Sequence, residues 1–89
     1  MNRRKALDCG VSKLSTKQFN GRLLITEQLL IDGVQIGLMT KTRGANMPWR
    51  AIFLEQGVKV ELGLFFGETG RRDAKNAIVE RYVAEKCYG

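Results

Sequence analysis

The hydropathy pattern is dominated by alternating runs separated by tight-turn signals. In VKVELGLFF, Val58, Val60, Leu62, Leu64 and Phe66 fall on one side, with Lys59, Glu61, Gly63 and Phe65 on the other, the period of a half-buried strand. GETG (Gly67 to Gly70) breaks that alternation. Arg71 to Lys86 then contains neither Pro nor Gly, which predicts a helix of about 16 residues. Upstream, Leu23 to Ile31 and Val34 to Lys41 flank Asp32-Gly33, a strong hairpin signal. A two-residue turn there sets Ile31 opposite Val34, Leu29 opposite Ile36 and Glu27 opposite Leu38. LLITEQLL would also suit an amphipathic helical turn, but Ile25, Thr26 and Ile31 favour a strand. After the polar loop Lys41 to Met47 and Pro48, a strand from Trp49 to Glu55 turns at Gln56-Gly57. That turn sets Phe53 opposite Val60, Ala51 opposite Leu62, Trp49 opposite Leu64, Ile52 opposite Glu61 and Arg50 opposite Gly63.

The expected fold is therefore α+β, an antiparallel β-meander of three to four strands with one C-terminal helix packed on one face. Leu29, Ile31, Val34, Ile36, Trp49, Phe53, Val60, Leu62 and Leu64 form the face expected to receive the helix. Leu24, Leu30, Met39, Ile52, Leu54 and Phe65 fall on the other face. They would need the N-terminal segment, a second subunit or a protein partner as cover. On the helix, Ala74, Ala77, Ile78 and Tyr82 make a core-facing stripe. Val79 and Val83 lie about 100° off it, as a second surface or as the flank of one broad apolar face.

Length and charge narrow the choice of partner. At 89 residues the chain is one domain, with residues 1–20 expected as a basic, mobile arm and residues 21–89 as the sheet-and-helix domain. Fifteen Lys plus Arg against nine Asp plus Glu give a net charge of +6, which favours a polyanion, nucleic acid first. The basic residues are not stacked on an apolar helix, so no membrane partner is expected. No apolar run suits a membrane span or a signal peptide, and a cytoplasmic location is expected. Cys9 and Cys87 make no metal spacing, and no histidine is present. Neither a metal nor another cofactor is expected, and the cysteines are expected as reduced thiols. Without histidine the usual general base is missing. Glu27, Asp32, Glu55, Glu61, Glu68, Asp73, Glu80 and Glu85 are scattered, so no catalytic set emerges and a non-enzymatic role is expected.

The helix start carries an unusual charge. Arg71, Arg72 and Lys75 crowd the first turn with only Asp73 among them, where the helix dipole disfavours cations. A phosphate could use the side chains together with the free backbone donors; three solvated side chains on an exposed helix end are the alternative. The phosphate reading makes Arg71, Arg72 and Lys75 a clamp, with Lys41, Arg43 and Arg50 flanking it. Arg3, Arg4 and Lys5 would supplement it from the arm.

GRRDAKNAIVERYV (Gly70 to Val83) resembles the start of the last helix of the double-stranded RNA-binding domain, where a Ser-Lys-Lys-x-Ala-Lys run grips phosphates across a groove. The resemblance implies that Arg71 and Arg72 stand for the lysine pair, Lys75 for the third lysine, and Ala74 and Ala77 for the small core residues. Gly70 replaces the capping Ser, and Gly44-Ala45-Asn46-Met47 stands where that family has a Gly-Pro-x-His loop. That family also opens with a helix, where this chain favours a strand hairpin. The order of basic segment, sheet and C-terminal helix is similar to the arm-type DNA-binding domain of lambda-like integrases and its AP2-like relatives. This implies a sheet entering the major groove, read by Arg50, Lys59 or the Lys41 to Arg43 loop. The expected function is a small non-enzymatic protein that grips duplex RNA or DNA through its backbone. The rival expectation is a small inhibitor or adaptor that engages another protein through its sheet face or basic surface.

Overall fold

A computed structural model of the chain describes residues 10–87. A 3-10 turn at Val11–Lys13 leads into five strands: β1 (Leu14–Asn20), β2 (Leu24–Ile31), β3 (Val34–Thr42), β4 (Trp49–Glu55) and β5 (Val58–Phe65). The 18-residue helix α1 (Gly70–Cys87) follows. The strands pair antiparallel in chain order, so the sheet is a continuous meander. The α+β class and the C-terminal helix match expectation, whereas the strand count is five.

The additional strand lies inside the segment expected as an arm. Leu14–Asn20 pairs with β2 along its full length, Leu14 against Ile31 through Asn20 against Ile25. Every residue from Ser15 to Asn20 is nevertheless exposed. β1 is thus an edge strand held by backbone pairing, with no apolar face to announce it. Arg3, Arg4 and Lys5 lie outside the described residues.

Both tight turns form where Asp32-Gly33 and Gln56-Gly57 place them. All four residues take positive φ, with Asp32 at 54° and Gln56 at 52°, as a type I′ hairpin turn requires. Ile31 faces Val34, Phe53 faces Val60 and Ile52 faces Glu61 as expected. Beyond those pairs each hairpin contains a bulge. Leu30 faces Gln35 but Leu29 faces Gly37, so Ile36 is extra; Ile52 faces Glu61 but Ala51 faces Gly63, so Leu62 is extra. A single inserted residue reverses the in-out phase of everything past it. Glu27 therefore meets Met39, not Leu38, and Trp49 meets Phe65, not Leu64. Arg50 meets Leu64, not Gly63.

This phase change corrects the expected faces. Met39 is fully buried and Phe65 packs on the core, so neither is available to a partner. Leu64 is exposed instead of core-facing, and Val34 is exposed beside the Asp32-Gly33 turn. The core joins Leu29, Ile31, Ile36, Met39, Ala51 and Phe53 of the sheet to Ala74 and Ile78 of α1. Val83 is also buried and Val79 packs on the core, so the helix has one broad apolar face. Gly37 permits this approach: a Cβ there would lie 2.7 Å from Ile78 Cγ2 and 2.6 Å from the Ile52 carbonyl oxygen. Cys87, at the end of α1, is in a disulfide, which overturns the expectation of reduced thiols; Cys9 lies outside the described residues. Disulfides are rare in the cytosol, so this bond does not add support to the expected cytoplasmic location. No helix among the described residues is long and apolar enough to cross a membrane.

Candidate nucleic-acid interface

The meander brings three connections to one end of the sheet. The β1–β2 loop, the β3–β4 loop and the β5–α1 corner converge there, because Leu24 faces Thr42, Lys41 faces Trp49 and Trp49 faces Phe65. Gly70 seals the corner. A Cβ on it would lie 2.6 Å from the Phe65 carbonyl oxygen and 3.4 Å from Trp49 Cδ1, so no side chain fits at that position. The helix begins with the Asp73 amide donating to the Thr69 carbonyl at 2.8 Å, while the Thr69 hydroxyl donates to the Asp73 carboxylate at 2.9 Å. Asp73 also lies 3.7 Å from Arg72, which offsets part of the electrostatic cost of a cation near the helix start.

Arg71 has a structural task besides the one its position suggests. Its Nε and Nη2 donate to the two carboxylate oxygens of Glu27 at 2.8 and 2.7 Å. Glu27 stands on β2, completely buried beneath the helix, whereas the Arg71 side chain is half exposed. A buried carboxylate requires donors to offset its lost hydration, and the bidentate guanidinium supplies two. The unusual charge at the helix start is in part the counterpart of Glu27. The pair is neutral, and Arg71 clamps the helix to the sheet while half of its side chain stays exposed.

The other expected cations are divided. Lys41 and Arg43 lie at the convergent end with α1's Arg72. Lys41 Nζ donates to the Gly44 carbonyl at 3.2 Å, and Arg43 Nε donates to the Gly21 carbonyl at 2.9 Å. The second bond joins the β3–β4 loop to the β1–β2 loop and brings in Arg22, which was not among the expected contacts. Lys75 lies one turn along the helix and is half-buried. Arg50 lies on the sheet face away from the helix, 3.0 Å from Glu61 with both side chains more than half exposed. Lys59 lies near the Gln56-Gly57 turn, at the opposite end.

Exposed apolar side chains share the convergent end with these cations. Phe19, Leu23, Leu24, Met47, Leu64 and Phe66 are all exposed there; Val34 and Val58 are the exposed large apolar residues at the opposite turns. Lys17 Nζ lies over the Phe19 ring, 5.8 Å from its centroid. Alternation hid these residues, because Phe19 belongs to an unrecognised strand and the β5 bulge brings Leu64 outward. At the opposite end the charges are mixed: Arg81 pairs with Glu85 at 3.0 Å and lies 3.9 Å from Glu55, and Asp32 lines the same cleft as Lys13 and Lys86. No group of His, Cys, Asp or Glu among the described residues could hold a metal ion. No protein-family model, curated protein or solved structure matches the chain.

Proposed function

We propose that the protein is a non-enzymatic nucleic-acid-binding module that engages the backbone of an RNA or DNA duplex with its convergent end. The observation that carries this reading is the pairing of Arg22, Lys41, Arg43 and Arg72 with exposed Phe19, Leu23, Leu24, Met47 and Phe66 on one end of an otherwise charge-mixed molecule. Cations hold phosphates; apolar and aromatic side chains bear on sugars or a groove wall. Arg71 positions the helix through Glu27, and Lys75 adds a contact along α1.

If Arg22, Lys41, Arg43, Arg72 and Lys75 each neutralise a phosphate, log K against log salt has a slope of about −4 to −5 on duplex DNA. Replacing Arg43 and Arg72 together with Ala reduces its magnitude by about 2, whereas replacing Lys59 and Lys86 together with Ala, an equal charge loss at the other end, changes it little. Fluorescence anisotropy at several salt concentrations measures both effects. Equal losses from the two variants would remove the convergent end from the proposal.

A second reading has its own support. The sheet face away from α1 carries Leu30, Leu38, Ile52 and Leu54, each partly exposed and covered by no other described element. That strip suits a protein-binding inhibitor or adaptor, or a second subunit. Association without any nucleic-acid affinity would favour it.

A further inference from the structure

Between the β3–β4 loop and the β5–α1 corner lies a cleft of about 540 Å³, whose lining includes Lys41, Asn46, Met47, Phe66 and Glu68. Its volume is within the ~300–1,000 Å³ span of small-ligand pockets. We infer that this cleft receives one unstacked nucleobase of the bound nucleic acid, an inference that rests on the proposed function and assigns the convergent end a base-holding subsite. The side chains have the necessary chemistry. Phe66 is 64% exposed on a corner fixed by the Gly70 amide donating to the Gly67 carbonyl at 3.1 Å, and Met47 is 39% exposed. An aromatic face and a polarisable thioether offer a stacking surface. Asn46 has a donor and an acceptor for a base edge, and Glu68 an acceptor for an exocyclic amine. Lys41 stands at the same cleft for the attached phosphate.

Gripping paired duplex by its phosphates requires no such cleft, and paired bases do not present their faces. The inferred ligand is therefore a nucleotide released from the stack, at a bulge or in a single strand. The test uses the full chain and anisotropy against three matched oligonucleotides: a perfect duplex, the same duplex with one unpaired nucleotide, and the single strand. Stacking on one aromatic side chain corresponds to roughly 5- to 100-fold in affinity. The wild type is expected to prefer the bulged duplex to the perfect one within that range. Phe66→Ala is expected to weaken the substrates holding an unpaired base more than the perfect duplex, so that the preference is lost, with the salt slope unchanged because no charge is removed; Phe66→Trp is expected to retain the preference. A tighter single strand with the same Phe66 dependence also supports the subsite and identifies a strand as its natural source. A wild type without preference for either substrate holding an unpaired base overturns the subsite alone, and so does a Phe66→Ala variant that weakens all three equally. Absence of binding to all three at low salt overturns the proposed function as well.

Discussion

Replacing Arg71 with Met removes two hydrogen bonds from a carboxylate that water does not reach. Glu27 is completely buried and takes both of its side-chain donors from Arg71, at 2.8 and 2.7 Å. Breaking a buried ion pair from one side costs about 3–5 kcal/mol. Arg71 is half exposed, so water entering its vacated space recovers part of that, leaving about 2–3 kcal/mol. In a domain of this size each kcal/mol moves the melting temperature by about 4–8 °C, which gives a fall of roughly 10–20 °C by circular dichroism. Removing both charges behaves differently. Glu27→Met with Arg71→Met leaves no unpaired buried group and is expected within about 1 kcal/mol of wild type, since apolar replacements of buried pairs are often neutral. The double variant is also expected to retain nucleic-acid binding, because the pair contributes no net charge. An Arg71→Met variant within about 0.5 kcal/mol of wild type, the range of ordinary surface changes, would refute the clamp. Loss of binding in a stable double variant would return Arg71 to the phosphate contacts.

Gly37→Ala is expected to destabilise by about 1–3 kcal/mol through overpacking, because its Cβ would meet both the Ile52 carbonyl oxygen and Ile78; denaturant titration checks this, and a neutral result would mean that helix and sheet can separate freely. Alkylation of denatured, unreduced protein followed by mass spectrometry is expected to leave Cys87 unlabelled, as its disulfide requires. Quantitative labelling would contradict that bond.

The parts of the fold legible in the sequence were those governed by local rules. Asp32-Gly33 and Gln56-Gly57 fixed the turns, alternation marked β2 to β5, and the long Pro- and Gly-free run marked α1. The bulges were invisible because they depend on how two strands coil beneath a helix. Ile36 and Leu62 fit an unbroken alternation as well as a broken one, so Met39 and Phe65 were assigned to the wrong face. β1 was hidden for another reason: LSTKQFN is exposed beyond Leu14 and gains its order from β2.

The candidate interface was half legible. Lys41, Arg43 and Arg72 could be chosen from charge alone, but Arg22 enters only through the bond between Arg43 and Gly21. The Arg71–Glu27 pair spans 44 residues. Its signals were a carboxylate in step with Leu29 and Ile31 on a core-facing strand and a cation in step with the helix start. Neither identified the other until the course of α1 over the sheet brought them together.

The most direct measurement is a two-dimensional amide spectrum of the labelled protein titrated with a short duplex. Binding by the convergent end predicts shifts concentrated at residues 20–24, 41–47 and 66–72, with the Asp32-Gly33 and Gln56-Gly57 turns unmoved. Shifts centred on Leu30, Leu38, Ile52 and Leu54, or no shifts at low salt, would contradict it.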